Sequence, residues 1–217
     1  MKKSEVWFQF LLSTFIASIV VSNVITGKLI QFGRFTLPGA TLLYPITFLI
    51  TDIVGEIWGK ERGFRLVLWG FYGNVILLLG SLFILRAPAP GFFENQSAFE
   101  IVLGATPRII LASMVAYLFS QFHDVWSFAF WKEKTHGKHK WIRNNVSTMV
   151  SQLIDTSLFV LIAFAGVVPT EALWQIATSQ YLFKLIIAIA DTPFFYYATA
   201  AIERSIGKEG ESSGSTN

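Results

Sequence analysis

Residues 41–59 read TLLYPITFLITDIVGEIWG. The run is apolar enough to lie in lipid, yet it carries Asp52 and, four residues later, Glu56. A helix rises about 1.5 Å per residue, so roughly 20 mainly apolar residues cross a hydrocarbon core about 30 Å thick. A charge near the bilayer centre costs roughly 2.5–3.5 kcal/mol on insertion scales and therefore calls for a partner or a polar cavity. Asp52 is thus a functional candidate from its position alone.

Working outward, five more blocks of the same kind lie at about 7–29, 64–85, 107–131, 144–167 and 179–202. They are continuous apolar runs without the dyad alternation of an outer-membrane barrel, and backbone groups in lipid must then be satisfied within helices. The chain is 53% hydrophobic and 14% charged, with a mean hydropathy of +0.53, which excludes a soluble domain. The expected fold is an all-α integral membrane protein, a bundle of six transmembrane helices in one domain over residues 1–206. Residues 207–217 (GKEGESSGSTN) are small and polar and are expected to form a disordered cytoplasmic tail. The first block is too long for a cleaved signal and lacks a small-x-small site, so it is expected to be a retained helix. With no cysteine, the chain has no disulfide, thiolate metal site or thiol nucleophile.

Basic residues set the orientation. Twelve fall on one side of the six blocks (Lys2, Lys3, Lys60, Arg62, Arg65, Lys132, Lys134, Lys138, Lys140, Arg143, Arg204, Lys208) against Lys28, Arg34 and Arg86 on the other. Both termini are therefore expected in the cytoplasm. The net charge of +3 reflects topology, not nucleic-acid binding. The loop at 132–143 is read as a solvated basic connection, with His136 and His139 as weak metal candidates. No metal or cofactor is expected. The outer connection at 86–106 carries Phe92, Phe93, Phe99, Ile101, Val102 and Leu103 and suits either an interfacial amphipathic piece or a passive loop. Thr106-Pro107 reads as an N-cap followed by proline at the first helical position.

The polar residues within the blocks are Asp52 and Glu56, then Gln121 and Asp124, then Gln152 and Asp155, and finally Lys184 and Asp191, with Arg108 at the outer end of the fourth block. Spacings of three and four place each early pair on one helix face. Counting depth puts Asp52, Asp155 and Asp191 about half-way through their blocks, which suggests an acidic chamber at mid-membrane. Lys184 and Asp191 are two turns apart, so Lys184 is expected to neutralise a carboxylate on a neighbouring helix.

Pro45 and Pro193 lie within blocks, each withdrawing the amide that bonds the carbonyl four residues earlier. Gly55 and Gly59 form a G-x-x-x-G suited to close helix contact. Asn23 is read as interhelical glue, while Asn74 suits glue or a pathway lining. Trp7, Trp58, Trp131 and Trp141 fit an interfacial belt. Tyr44, Phe48, Tyr117, Phe122 and Tyr181 share blocks with the polar set, where core packing and stacking on a flat ligand are both open.

Carboxylates and glutamines beside aromatic rings suit a planar heterocycle: a carboxylate accepts two parallel N–H bonds from an amidine-like edge, and glutamine both donates and accepts. The same set suits a cation. An intramembrane enzyme is the competitor from another class, but there is no HExxH, no GxSxG and no Walker A loop, and His123 and Asp124 are helix neighbours that point apart.

The stretch from Tyr44-Pro45-Ile46-Thr47-Phe48 to Asp52, Glu56 and Gly59 resembles the signature helix of the queuosine precursor transporter family, also called the vitamin uptake transporter family. The likeness continues through Arg108, Ala112-Ser113, Ala116-Tyr117, Ser120-Gln121 and Asp124. It then runs through Ser147-Thr148, Ser151-Gln152, Asp155-Thr156 and Phe159 to Tyr181, Lys184 and Asp191-Thr192-Pro193. It covers 44 to about 197. The resemblance implies a multi-pass importer of the bacterial inner membrane for 7-deazaguanine precursors of queuosine, 7-cyano-7-deazaguanine and 7-aminomethyl-7-deazaguanine. The partners it implies are a purine-like small molecule and the lipid bilayer, with no nucleic acid; the oligomeric state stays open, a homodimer included. Asp52, Gln121, Asp124, Gln152, Asp155, Lys184 and Asp191 are the expected polar site, with Asp52 or Asp155 on the base edge and Lys184 and Arg108 balancing charge. Tyr44, Phe48, Tyr117 and Asn74 complete the candidate set. The alternatives are a substrate-binding subunit of an energy-coupling-factor importer and, behind it, the intramembrane enzyme.

Overall fold

A computed structural model describes the backbone of residues 3–134 and 140–214. The side chains at 60, 121, 122, 124–134, 140–148, 188, 189, 191, 192 and 208–214 lie outside the described residues. Seven helices follow one another: α1 (Lys3–Ile25), α2 (Tyr44–Trp58), α3 (Lys60–Arg86), α4 (Gln96–Gly104), α5 (Thr106–Lys134), α6 (Lys140–Phe164) and α7 (Thr170–Gly214). Three stretches among the described residues are long and apolar enough to cross a membrane, Lys3–Ile25, Glu61–Arg86 and Gln96–Ser120, and Met149–Phe164 is a shorter apolar helix. Their outer faces are apolar. On α3, Phe64, Leu68, Tyr72, Ile76, Leu79 and Phe83 are all exposed at helical spacing, a continuous strip that only lipid solvates without penalty. The protein is a multi-pass helical membrane protein.

One segment departs from the sequence expectation. The first helix ends at Ile25, and an antiparallel hairpin follows, β1 (Leu29–Phe32) and β2 (Phe35–Pro38), in the register Leu29↔Pro38 to Phe32↔Phe35. Gly33 opens its two-residue turn at φ 58°, a conformation glycine reaches without steric cost. A single 3-10 turn, Gly39–Leu42, leads to α2. A side chain at Gly39 would put its Cβ 2.5 Å from the Ile25 carbonyl oxygen, so only glycine lets the hairpin return against the end of α1. Helix α2 is therefore shorter than the apolar block that contains it. Pro45 falls in its first turn, where the missing N–H has no intrahelical partner to lose, so no helix bond to the Thr41 carbonyl is broken there.

Helices α1 and α3 pack through glycine. A Cβ at Gly70 would lie 2.7 Å from Phe15 Cε1, and one at Gly73 would lie 3.1 Å from Ile16 Cγ2. A little further along the same seam the Asn23 amide donates to Asn74 Oδ1 at 2.8 Å, both residues buried. The G-x-x-x-G expectation is corrected in one member: Gly59 joins α2 to α3 at φ 83°, and it is Gly63 that faces Gly55, where a Cβ would lie 3.8 Å from Gly55 Cα. Thr106 is likewise corrected as an N-cap. The first bond of α5 runs from Ile109 N to Ala105 O, and the Thr106 hydroxyl has no partner. The outer connection does contain a short helix, α4, none of whose residues is buried.

The start of α1, the α2–α3 junction and the far part of α7 meet at one end of the bundle. Trp7 Nε1 donates to Ser205 Oγ (3.2 Å), Trp58 Nε1 to Ser4 Oγ (2.9 Å), and Arg62 pairs with Glu5 at 2.9 Å while lying over the Phe8 ring. The two indoles read as belt residues are thus also interhelical ties. The hairpin, the C-terminal end of α6 and the start of α7 occupy the opposite end.

Candidate substrate site

Asp155 on α6 and Lys184 on α7 form an ion pair, Nζ to Oδ2 at 2.6 Å, with the lysine side chain 6% and the carboxylate 25% exposed. Each lies well inside its helix, nine residues before the end of α6 and fourteen after the start of α7. A charge at such depth is tolerated when its opposite is beside it. Lys184 thus neutralises a carboxylate from the adjacent helix.

Three more helices supply the walls. The Lys184 ammonium sits 5.5 Å from the centre of the Tyr44 ring, a cation–π distance, and Tyr44 stacks on Phe48 at 6.1 Å and 23°. The Tyr44 hydroxyl contacts the Ser113 hydroxyl of α5 and lies within the electrostatic reach of Asp155. Tyr117, one turn beyond Ser113, also feels the Asp155 charge, and its ring meets Phe71 of α3 edge-on at 5.1 Å. Helices α2, α6 and α7 therefore meet at the pair, α5 lines it through Ser113 beside Tyr44 and through Tyr117, and α3 backs Tyr117 with Phe71. The end of the hairpin and the turn that lead into α2 are enclosed by protein, with Leu37, Ala40 and Thr41 at most 1% exposed.

The other candidates fall in different places. Gln152, one turn before Asp155, keeps a buried Oε1 without a hydrogen-bond partner. Depth counting expects Asp52 level with Asp155; the structure sets Tyr44 there, and Asp52, eight residues on, lies about 12 Å further along α2. Asn74 is held by Asn23. Arg108 donates from Nε to the Ile162 carbonyl (2.6 Å) and from Nη2 to the Ala165 carbonyl (2.5 Å) at the end of α6, where a cation meets the negative end of the helix dipole. Tyr181 donates to the Met149 carbonyl at 3.4 Å, and His123 Nδ1 lies 3.2 Å from Ser151 Oγ, both tying α6 to its neighbours. Gln121, Phe122, Asp124, Asp191, His136 and His139 lie outside the described residues, as do the side chains of Trp131 and Trp141.

Two residues were missed in sequence. Gln180 stands one turn before Lys184 at 1% exposure with neither amide atom bonded, and Thr41 is equally buried with a free hydroxyl. The signal for Gln180 was its i, i+4 spacing to Lys184.

An apolar-faced helical bundle with an ion pair held among aromatic rings inside it defines a membrane transporter of the multi-pass class. The sequence profile of the family described as "Putative vitamin uptake transporter" matches residues 38–198, and the chain belongs to that family. It is 30% identical over 184 residues to the "Probable queuosine precursor transporter" of Bacillus subtilis (strain 168), covering 84% of this chain and 80% of that protein. It is 27% identical over 201 residues to the protein of the same name from Haemophilus influenzae (strain ATCC 51907 / DSM 11121 / KW20 / Rd), covering 87% and 83%. No solved structure matches it. These relatives are transporters by name, and the chain is a transporter, not an enzyme.

Proposed function

We propose that this protein imports queuosine precursors, 7-cyano-7-deazaguanine and 7-aminomethyl-7-deazaguanine, across a bacterial inner membrane, through a mid-membrane site centred on Asp155 and Lys184. The observation that carries the reading is the buried ion pair in its aromatic box. The names of the relatives supply the substrate class. A deazaguanine presents an N1–H and a 2-amino group side by side, and Asp155 can accept both as parallel bonds while Tyr44 and Phe48 offer a stacking face. Lys184 keeps the carboxylate compensated at each stage, holding it in the present conformation and shifting toward the ring carbonyl when the base arrives.

Gln152 extends this polar wall, and Asp52, Gln121, Asp124 and Asp191 are assigned to the path on either side of it. The six apolar blocks form six spans, with both termini in the cytoplasm as the basic residues dictate.

Purified protein in liposomes should take up labelled 7-cyano-7-deazaguanine without nucleotide and release it chemically unchanged. Uptake only with an added ATPase would make the chain the binding subunit of an energy-coupling-factor importer. Recovery of altered compound would make it an enzyme.

A further inference from the structure

Three neutral side chains near the ion pair are buried to about 99% and have no hydrogen-bond partner among the described residues: Thr41 before α2, Thr156 on α6 and Gln180 on α7, the last with both amide atoms unbonded. An unmet buried polar group costs roughly 1–3 kcal/mol, so one full amide and two hydroxyls in a single region is a large debt for a fold to carry.

Contacts on either side fix their level. Helices α6 and α7 run antiparallel across a short connection, with Asp155 against Lys184 and, further along, Phe159 and Val160 in one cluster with Ile176. Thr156 and Gln180 lie between those two contacts. Gln180 is four residues from both Ile176 and Lys184, so it shares the face that both turn toward α6. From the other side, Thr36 N donates to Ser179 Oγ at 3.2 Å and the Tyr44 ring covers Lys184, which brackets Thr41 against the same turn of α7.

We infer that Gln180, with Thr41 and Thr156, forms the second half of the substrate site, one helical turn from Asp155–Lys184, and receives the uncharged ring edge that adjoins the amidine edge on the side of the 2-amino group. This rests on the reading of the site given above. One turn is about 5.4 Å, within the span of a fused bicyclic heterocycle, so a base on Asp155 can bring the adjoining edge to Gln180. In a deazaguanine that edge offers a ring nitrogen acceptor beside a ring N–H donor. A primary amide matches both at once, Nε2 donating and Oε1 accepting. A substituent on that N–H removes the donor and places bulk against side chains that are buried from solvent. The subsite therefore selects free bases over N-glycosylated ones, because a site that hydrogen-bonds an N–H rejects the analogue without it far more strongly than an apolar pocket rejects a methyl group.

The test compares binding of 7-cyano-7-deazaguanine and its N9-methyl derivative to detergent-purified wild type, Gln180→Ala and Gln180→Met. Wild type should prefer the free base by roughly 100-fold or more. In Gln180→Ala the free base should weaken by roughly 10- to 100-fold, and the preference should fall to within about threefold. Ligand-free Gln180→Met, which replaces an unbonded amide by an apolar chain of similar length, should melt at or above the wild-type temperature. A preference unchanged in Gln180→Ala, or a clearly lower melting point for Gln180→Met, overturns the assignment while leaving the substrate intact. Failure of wild type to bind either base removes the substrate reading and this inference with it.

Discussion

Two interhelical seams of this molecule handle buried polarity differently. Between α1 and α3 the helices close on glycine, and polar side chains pair across the seam, Asn23 with Asn74 and, at its end, Glu5 with Arg62. Between α6 and α7 the seam holds a full ion pair, and around it Gln152, Thr156 and Gln180 keep buried atoms unbonded. Both seams lie in the same low-dielectric setting, where satisfied polar groups fix geometry and unsatisfied ones weaken it. The first is held by close glycine contact and paired side chains, whereas the second keeps several buried polar atoms unbonded beside its ion pair.

That contrast breaks most visibly at Lys184. Removing one partner of a buried pair strands the other charge and costs about 3–5 kcal/mol, so Lys184→Met should sharply lower the thermal stability of the purified protein. Asp155→Asn in the same chain should restore most of that stability without restoring uptake. A double variant no more stable than Lys184→Met would mean that the pair is not the coupled unit described here. On the closed seam the expected effect is smaller and purely structural. Gly70→Ala drives a methyl to 2.7 Å from Phe15, and overpacking of this kind costs about 1–3 kcal/mol. Melting should fall while uptake per folded molecule is kept, and a specific loss of uptake would show that α1 and α3 move during transport.

The sequence made the long helices legible because their apolar runs are continuous, and α1, α3, α5 and α6 fall within a few residues of the expected blocks apart from the basic extension of α3 toward Lys60. It did not disclose the hairpin at 29–38. Those residues alternate apolar side chains with Gln31, Arg34 and Thr36 and fall between the first two apolar blocks, so hydropathy left them as a connection. Gly33 and Gly39 were the only local signals. With α2 starting at Tyr44, an aromatic ring stands beside Lys184, and Asp52 lies two turns further along the helix. Charge was easier to read than geometry, since the cost of an isolated ammonium in lipid already required Lys184 to have a carboxylate partner. Arg108 followed the same rule with a different outcome, because helix-end carbonyls satisfy a guanidinium as well as a carboxylate does.

Transport is expected to depend on the α6–α7 seam and not on the α1–α3 seam. Uptake of 7-cyano-7-deazaguanine per inserted molecule in liposomes, measured for Asp155→Asn and Asn74→Ala side by side, tests it most directly. Loss of at least roughly 100-fold in Asp155→Asn, with Asn74→Ala within about twofold of wild type, is the predicted result, since the first removes a charged partner of the base and the second only a structural amide bond worth about 1 kcal/mol. Normal uptake by Asp155→Asn, or equal loss in both variants, would contradict the account.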